Sequence, residues 1–401
     1  MDLVFQWERL KRWWLRQFGA ERLLSWKFHW QNFCFLRFGF LYPHHRRLRH
    51  RYVICSASYN VGPYIDEFFR SIVWQSADFQ KSIHIVSIDD GSTDNTAAII
   101  QKWQRRYPQN ITYLYKKNGG VSSARNVGLR YIFENIDADF ITFGDPDDFF
   151  DSRYFFRTDR GISQCPCPAD LSCVACFFIP FFANEKRYTL HSGCAFKYGP
   201  VAELADVYSY KNVNFGLGYT FLPFAPLRLS NVFFSETISY LEDAIFASQF
   251  QLHLPLSQQH LLLPHACYFY RRKENGLSTE LKFLSNPSFF LEIPLILLSL
   301  LQEKTLLPQG RDYWFIDRFI ILHFNWFFCL INNPEFRHVL DLNVVRESLR
   351  VVYTLLSYIS VSTIERVVAW QSPGKVYMLA FKKGMIPINE ILVDPPLALA
   401  G

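Results

Sequence analysis

SIHIVSIDDGSTDNTAAIIQKWQRRY, residues 82–107, is the stretch of sequence that decides the fold. Its first part is rich in isoleucine and valine and predicts a β-strand. Its second part, from Gly91, has helical spacing, with Ser92 or Thr93 as the predicted N-cap. The acidic pair Asp89 and Asp90 lies between the two parts. A strand that passes through a polar turn into a helix is the repeating unit of α/β sheets.

The same unit occurs before and after this stretch. RYVICSAS (51–58) is followed by a helical pattern over 62–76, NITYLY (110–115) is followed by one over 119–135, and DADFITF (137–143) is a fourth strand. Half of the 401 residues are hydrophobic, which excludes a disordered chain and is enough for a large core. We therefore predict an α/β fold with a mostly parallel central sheet flanked by helices.

Each of the four strands is followed by a polar cluster. The clusters are Ser58-Tyr59-Asn60, Asp89-Asp90-Gly91-Ser92, Lys116-Lys117-Asn118-Gly119 and Asp145-Pro146-Asp147-Asp148. Asp-Gly and Asn-Gly are ordinary turn pairs, but ligands of parallel sheets bind outside the carboxyl ends of the strands, where all four clusters should meet. There is no G-x-G-x-x-G turn and no P-loop motif, which disfavours a dinucleotide and excludes a P-loop site. An aromatic ring, carboxylates and lysines suit a nucleoside diphosphate linked to a transferable group.

Three carboxylates, those of Asp145, Asp147 and Asp148, lie within four positions behind the fourth strand. Asp and Pro are common turn formers, so turn chemistry alone is one interpretation of this stretch. Like charges this close repel, however, and oxygen-rich clusters are the preferred ligands of Mg²⁺ and Mn²⁺. We predict that a divalent cation, Mn²⁺ or Mg²⁺, binds at this strand end.

These segments resemble the family 2 glycosyltransferases, which have the GT-A fold and use nucleotide-sugar donors. SASYNVGPYIDEFFRSIVWQS is similar to the family's opening strand and helix, SIDDGSTDNT to its V-D-D-G-S-T-D signature, NGGVSSARNVGL to its N-x-G-x-S-x-A-R-N-x-G segment and DPDD to its D-x-D metal motif. The resemblance covers residues 52–150. It implies a metal-dependent, inverting, hexosyltransferase-like enzyme of the bacterial surface-polysaccharide type, capsule synthesis included. A UDP-sugar is favoured as donor, and a hydroxyl of a glycan or of a lipid-linked acceptor receives the sugar.

The resemblance also implies roles for individual residues. Asp147 holds the metal, and Asp145 contacts the ribose or supports the metal. Tyr59 stacks on the base, Asp90 binds the base and Asp89 supports the turn. The other nucleotide-sugar-binding candidates are Ser58, Asn60, Lys117, Arg125 and Arg271, with Arg272 and Ser278 in the same closing segment, CYFYRRKENGLST (267–279). An alternative interpretation of Arg125 is that it packs within its helix.

The acceptor side of such an enzyme needs a general base. Glu242 and Asp243, in FFSETISYLEDAIFASQF (233–250), are similar to the family's Glu-Asp pair and stand at the start of a helical pattern. An acidic first turn that is stabilised by the helix dipole is the alternative interpretation. The resemblance implies that Asp243 takes the proton from the acceptor hydroxyl as it attacks the anomeric carbon, with inversion.

The catalytic domain is predicted to span residues 52–280, between a basic aromatic helical extension (1–51) and a helical C-terminal region (281–401). Residues 1–51 carry a net charge of +8 and five of the ten Trp residues. Basic and aromatic residues at helical spacing suit an anionic membrane surface, and a helical hairpin packed on the core is the alternative. No nucleic-acid partner is predicted, because no recognised binding motif accompanies the charge.

The chain shows no secretory signal and no uncharged apolar run of spanning length. Nine cysteines, an odd number, favour reduced thiols in a cytoplasm. We expect a cytoplasmic protein in peripheral contact with the inner face of the cell membrane through residues 1–51 and the C-terminal helices. Four of the cysteines, Cys165, Cys167, Cys173 and Cys176, have spacings that could ligate zinc, but a strand is the favoured interpretation of this segment.

Two other functions remain open from the sequence. A catalytically inactive nucleotide-binding scaffold of a glycan assembly complex would retain the fold and lose metal-dependent chemistry. A metal-dependent phosphotransferase would use Asp145 to form a phospho-intermediate, but the first strand carries no hydrolase-type D-x-D-x-[TV] motif.

Overall fold

The computed structural model describes residues 20–41, 46–189, 198, 200–206, 216–238, 240–254, 259–272, 287–306, 314–331, 341–367 and 373–385. The chain divides into two compact units. The first comprises Met1–Ala205, Gly216–Phe233 and Ser257–Glu274, and the second comprises Asp206–Phe215, Phe234–Leu256 and Asn275–Gly401. The three regions expected from the sequence, 1–51, 52–280 and 281–401, stay predictions.

The first unit begins with helix α1 (Ala20–Phe38) and then alternates strands and helices. In chain order these are β1 (Tyr52–Ser58), α2 (Gly62–Val73), α3 (Phe79–Ser82), β2 (Ile83–Asp89), α4 (Thr96–Arg106), β3 (Ile111–Tyr115), α5 (Val121–Asn135) and β4 (Phe140–Phe143). The predicted cap of α4 was wrong: the helix begins after Asn95. The hydroxyls of Ser92 and Thr93 instead form hydrogen bonds with Asn60, at the end of β1.

The remaining strands turn this arrangement into a mixed sheet. They are β5 (Phe149–Phe150), β6 (Leu171–Phe182), β7 (Arg187–Tyr188), β8 (Glu203–Asp206), β9 (Thr220–Pro223) and β10 (Gln259–Arg272), with helices α6 (Tyr154–Gln164) and α7 (Phe224–Ser230) between them. The strand order is β3-β2-β1-β4-β9-β6-β10-β5, with β7 beside β6 and β8 beside β10. The predicted α/β fold is confirmed. The sheet is parallel from β1 to β4 but mixed as a whole, because β9 inserts antiparallel between β4 and β6, and β5 pairs antiparallel with β10.

The register of the parallel strands aligns their carboxyl ends. Ser58 in β1 lies opposite Asp89 in β2, and Asp89 lies opposite Tyr115 in β3. On the far side of β9, Arg271 near the end of β10 lies opposite Phe181 of the parallel strand β6. The polar segments that follow β1, β2, β3 and β4 therefore meet at one edge of the sheet, as the sequence predicts.

Aromatic rings fill the core beneath this edge. Tyr52, Phe68, Phe155 and Phe221 are fully buried, and the rings of Tyr52 and Phe221 meet edge to face with 5.4 Å between their centroids. Burying one such side chain contributes about 1.5–3 kcal/mol relative to leaving it exposed. Because close-packed rings have little freedom to move, the strand ends rest on a rigid support.

Helix α1 packs on the first unit with one face only. Phe28 and Phe35 are buried. Trp30 and Phe33 are exposed and stack on each other with 6.3 Å between their ring centroids. Part of the predicted N-terminal extension is therefore helical, and residues 1–19 lie outside the described part of the chain.

The second unit is a set of helices. They are α8 (Glu242–Leu252), α9 (Pro287–Leu306), α10 (Trp314–Ile331), α11 (Leu342–Ser357), α12 (Val361–Val367) and α13 (Pro373–Lys382). Their apolar faces form one core that includes Phe289, Leu297, Phe324 and Leu349. The helices predicted from apolar spacing beyond residue 280 are thus present. Among the described residues, no helix has the length and apolar character needed to cross a membrane.

Candidate active site

Asn60 joins the end of β1 to the turn after β2. Its backbone is left-handed, with φ of 51°, a conformation that Asn adopts more readily than most residues. Its side-chain oxygen accepts hydrogen bonds from the backbone N–H of Thr93 at 2.8 Å and from the Thr93 hydroxyl at 3.3 Å, and its own N–H donates to the Ser92 hydroxyl at 3.1 Å. The preceding Tyr59 is half exposed, and Ser58 is buried. The turn therefore presents the Tyr59 ring at the sheet edge.

Asp89 stabilises the turn after β2 from inside the fold. The residue is fully buried; one carboxylate oxygen accepts from the Ser92 N–H at 2.9 Å and the other accepts from the Tyr113 hydroxyl at 3.0 Å. Burial and the hydrogen bond to Asp89 raise the pKa of Tyr113 to about 12, so the phenol remains a donor. These contacts match the turn-supporting role that the resemblance implies for Asp89.

Asp90 connects the turn after β2 with the segment after β3. Its carboxylate accepts hydrogen bonds from the backbone N–H groups of Gly119 at 3.0 Å and Gly120 at 2.8 Å, and from the Lys116 ammonium at 2.6 Å. Its own N–H donates to the Ser58 carbonyl at 2.8 Å. The Asp90 side chain is almost completely buried in this cradle, so the three strand ends are tied together through one carboxylate.

Two features of the segment 116–120 were not apparent from the sequence. Lys116 pairs with Asp90, whereas the predicted nucleotide-sugar-binding residue, Lys117, is exposed. Gly91 has a φ of +76°, and a Cβ atom there would lie 2.8 Å from the backbone nitrogen of Asn118. A glycine is therefore required at position 91 both by the turn and by the close approach of the Asn118 backbone.

Arg125 lies on α5 and points to the acidic loop, residues 145–148. Its guanidinium donates to the Asp145 carboxylate at 3.0 Å, and its side chain is 8% exposed. The alternative interpretation, in which Arg125 only packs within its helix, does not account for this ion pair. Asp145 is more open to solvent, at 38% of the side chain, so Arg125 adds positive potential next to a carboxylate that remains accessible.

Asp148 is the buried member of the acidic loop. Its carboxylate accepts hydrogen bonds from the Tyr268 hydroxyl at 2.6 Å and from the Arg271 N–H at 2.7 Å. Burial, together with the charges of Asp147 and Asp145, raises the pKa of Asp148 well above its ordinary value. The charges of Asp145 and Asp147 therefore act on the buried Asp148 carboxylate.

Arg271 lies behind the acidic loop. Its Nε donates to the Asp147 carbonyl at 2.7 Å and its terminal nitrogen forms an ion pair with Glu67 on α2. The Arg271 side chain is only 7% exposed, and Tyr64 and Phe149 pack against its guanidinium. In this position Arg271 orients the loop, and its role in binding the nucleotide-sugar stays a prediction. Sequence reasoning missed Glu67 and Tyr268, although both lie in the quoted segments, because their partners are far away in the sequence.

The acidic loop suits a divalent cation that a bound diphosphate would share. Within the described ranges, no three His, Cys, Asp or Glu side chains are grouped as a metal site. Mg²⁺ and similar ions, however, are commonly held by one or two carboxylates together with substrate phosphates. The mutual charge of Asp145, Asp147 and Asp148 fits such an ion, because a cation offsets the repulsion.

The four-cysteine segment belongs to the fold of the first unit. Cys173 and Cys176 are buried in β6, Cys165 is buried at the end of α6, and Cys167 is exposed. Burial raises the pKa of the Cys176 thiol to about 11. The part of the segment that carries Cys173 and Cys176 is a strand, as the favoured interpretation had it.

Glu242 and Asp243 open helix α8 in the second unit. The residue before them, Leu241, has a left-handed backbone with φ of 61°, which is costly for a leucine. An Asp243 oxygen accepts from the N–H of Ala244 at 2.8 Å. The predicted helix start is thus present. Of the closing segment, Arg272 is exposed and its guanidinium lies over the Tyr270 ring, and Ser278 lies outside the described residues.

Comparison with known proteins identifies what the chain is similar to. Residues 53–157 match the model of glycosyl transferase family 2. The chain is 30% identical over 216 residues to the minor teichoic acid biosynthesis protein GgaA of Bacillus subtilis, covering 54% of this chain and 46% of that protein. It is 29% identical over 232 residues to GgaB of the same organism, covering 58% of this chain and 24% of that protein. The chain thus spans less than half the length of these relatives.

The fold is that of S. aureus TarS 1–349. The crystal structure of that protein in complex with UDP-GlcNAc superposes with a TM-score of 0.59 and 17% sequence identity, covering 84% of this chain and 91% of that one. The complex with UDP gives a TM-score of 0.58 at 16% identity, with the same coverage. The predicted GT-A fold is therefore confirmed. The part of the chain that is similar to glycosyl transferase family 2 is residues 53–157.

Proposed function

We propose that this glycosyltransferase moves a sugar from a UDP-sugar to a hydroxyl group of a cell-surface glycan or of its lipid-linked precursor. The reaction is metal-dependent and inverts the anomeric carbon. The relationship to proteins of teichoic acid biosynthesis supports a surface polymer as the acceptor. The complexes of TarS with UDP and UDP-GlcNAc support uridine in the donor.

One observation carries the proposal: a single hydrogen-bond network joins the polar segments at the sheet edge. Asn60 bonds to the turn after β2, and Asp90 bonds to the segment after β3. Arg125, which follows that segment, pairs with Asp145 in the acidic loop. Groups suited to a base, a ribose and a diphosphate thus lie together, and their mutual bonds hold them in position before a ligand arrives.

The residues of the first unit have distinct roles in this proposal. The Tyr59 ring stacks on the base and Asp90 accepts a hydrogen bond from it. Asp147 and Asp145 hold Mn²⁺ or Mg²⁺, which offsets the charge that develops on the leaving diphosphate. Arg125 keeps Asp145 in position. Lys117, which is exposed in the segment after β3, adds positive potential.

Asp243, with Glu242 beside it, is the proposed general base of the reaction. The left-handed backbone at Leu241 supports this assignment, because strained conformations of bulky residues are concentrated at functional sites. Asp243 accepts the proton of the acceptor hydroxyl as that oxygen attacks the anomeric carbon. Only one protein carboxylate is needed for this step, since the nucleotide leaves without protonation by the enzyme.

We also propose peripheral contact of this cytoplasmic enzyme with the inner face of the cell membrane. Trp30, Phe33, Phe38 and Leu41 are exposed along one side of α1 and the turn after it. Aromatic side chains next to basic residues favour the headgroup region of anionic lipids. This placement would bring the enzyme to a lipid-linked acceptor.

Nucleotide release by the purified protein tests the function. UDP-, GDP-, CDP- and dTDP-sugars are compared with Mn²⁺, with Mg²⁺ and with EDTA. Asp147→Asn and Asp243→Asn test the metal ligand and the base. Asp137→Asn and Glu347→Gln are matched controls, because both carboxylates are well exposed on the same units as their counterparts.

Metal-dependent release from a UDP-sugar that is lost in both site variants and kept in both controls is the expected result. Release that is unchanged in EDTA would contradict the metal role. Metal-dependent binding of UDP without release from any donor, with acceptor polymer present, would favour the inactive scaffold. A phosphorylated Asp145 would favour the phosphotransferase.

A further inference from the structure

One cavity of the first unit lies beside helix α6. Its volume is about 790 Å³, within the ~300–1,000 Å³ range of ordinary ligand sites. Helix α1, helix α6 and the middle of strands β6 and β10 form its walls. None of the donor-binding or catalytic candidates lines it.

Positive charge is concentrated in this cavity. Lys27 from α1 and Arg157 and Arg160 from α6 line it, and Asp151 is the one carboxylate among its described lining residues. Arg157 and Arg160 are three positions apart on one helix face, a spacing at which like charges destabilise a helix. Lys27, on α1, adds a third cation. Such an arrangement is stabilised when an anion binds between the cations.

Arg157 is held in a fixed orientation at the base of the cavity. Its guanidinium donates to the Asp151 carboxylate at 2.9 Å and to the His265 carbonyl at 2.6 Å. Asp151 is itself fixed, because it accepts from the Arg153 N–H at 2.9 Å and its own N–H donates to the Cys267 carbonyl at 3.0 Å. Asp151 is buried, and these bonds preorganise the charged wall without filling the cavity.

The rest of the lining matches a phosphate that is attached to a carbon chain. The side-chain amides of Gln31 and Gln164 supply neutral donors, and Phe28, Ile179 and Leu263 supply an apolar surface. Arginine binds phosphate with two parallel hydrogen bonds, and lysine binds it as a point charge. A sugar or an inorganic metal ion would not need three cations.

We propose that this cavity binds a phosphate group, either a soluble phosphomonoester or phosphodiester or the headgroup of an anionic lipid. Lys27 and Arg160 contact the phosphate oxygens, and Arg157 is positioned by Asp151 to do the same. The proposal does not depend on the transfer reaction, since binding requires neither donor nor metal.

Binding of sn-glycerol 3-phosphate, measured by calorimetry on the full chain in EDTA, tests the soluble form of the ligand. Co-sedimentation with vesicles of equimolar phosphatidylcholine and phosphatidylglycerol tests the lipid form. The variant Lys27→Gln with Arg160→Gln removes two cations from the cavity. The matched control, Lys102→Gln with Arg105→Gln, removes two exposed cations from α4 of the same unit. Circular dichroism checks that both variants are folded.

Each cation removed from the cavity should weaken binding about tenfold, while the control changes it less than about twofold. Binding of glycerol phosphate with this pattern identifies a soluble ligand, and binding of vesicles alone with this pattern identifies a lipid headgroup. Absence of binding in both assays would overturn the proposal. An equal loss of binding in the cavity variant and in the control would also overturn the proposal, because the positive charge of the whole surface would then explain the binding.

Discussion

Glu67→Gln is expected to loosen the acidic loop while leaving its three carboxylates intact. Glu67 pairs with the buried guanidinium of Arg271, and Arg271 donates to the Asp147 carbonyl at 2.7 Å. Glutamine keeps the shape and one acceptor oxygen but removes the charge. The guanidinium then loses its ionic partner in a site that water enters poorly.

The structure sets the size of this effect. Arg271 is 7% exposed and Glu67 is 35% exposed. Removing one partner of a fully buried pair costs about 3–5 kcal/mol, and a single hydrogen bond to a charged group contributes about 1.5–3 kcal/mol. Because water reaches Glu67 and glutamine still accepts a bond, we expect a loss of about 1–2 kcal/mol. If that energy is needed to hold Asp147 in place, it corresponds to roughly 5–30-fold weaker metal-dependent binding of UDP.

Titration of UDP binding against Mn²⁺ measures the effect of the substitution on the metal site, and urea unfolding measures its effect on stability. Glu185→Gln is the matched control, since its pair with Arg187 is well exposed and should contribute less than about 1 kcal/mol. The expected result is a higher Mn²⁺ requirement for Glu67→Gln, with UDP binding recovered at saturating metal. Arg271→Lys should act in the same direction, because lysine cannot bond Glu67 and the Asp147 carbonyl with one planar group.

A Glu67→Gln protein that is less stable but binds Mn²⁺ and UDP normally would refute this reasoning. The ion pair would then be a structural contact with no part in positioning the loop. The same conclusion would follow if Glu67→Gln and Glu185→Gln behaved alike in both measurements.

Three further outcomes are expected. Tyr59→Ala should weaken UDP binding, measured by calorimetry, by about 1–3 kcal/mol because base stacking is lost. Tyr59→Phe should bind UDP normally, and an equal loss of affinity in both variants would argue against stacking. Gly128→Ala should destabilise the first unit by about 1–2 kcal/mol in urea unfolding. The added Cβ would lie 2.5 Å from Ile88 Cδ1 and 2.6 Å from Cys55 Sγ. Unchanged stability would mean that these side chains move aside at little cost. Burial lowers the pKa of His323 to about 3. As the pH falls, His323 therefore becomes protonated in the unfolded chain before it does in the folded protein. The free energy of unfolding should decrease by up to about 1.4 kcal/mol per pH unit below pH ~6.5. In His323→Phe, thermal unfolding followed against pH should lose that slope, and an unchanged slope would exclude His323 as its source.

The fold of the first unit was predictable where the determining signals are local. Strands and helices from β1 to β4 follow from apolar spacing and turn residues, and their parallel pairing follows from the alternation of strand and helix. The shared edge of the polar clusters is a consequence of that topology alone. The antiparallel insertion of β9 was not predictable, because its four residues, Thr220–Pro223, carry no signal that selects their neighbours.

The site was predictable in its motifs but not in the contacts that hold them. Arg271 and Glu67 are 204 positions apart, so no local pattern relates them. Tyr268 reads as one more apolar strand residue until β10 is placed beside the acidic loop. Lys116 and Lys117 are neighbours with the same charge, and only the direction of the chain after β3 decides which one meets Asp90.

The contacts of Asp90 bear on which base the proposed site accepts. A carboxylate offers about four acceptor positions, and Asp90 already accepts three hydrogen bonds from Lys116, Gly119 and Gly120. One position therefore remains, which is enough for a single N–H of a base. Uracil presents such an N–H at the ring nitrogen where cytosine presents a lone pair, and a lone pair facing a carboxylate is repelled. The two glycine amides and the lysine fix the carboxylate in place, so Asp90 cannot turn away from the wrong base. The bonds that join Asp90 to the segment 116–120 would therefore also favour uridine over cytidine donors.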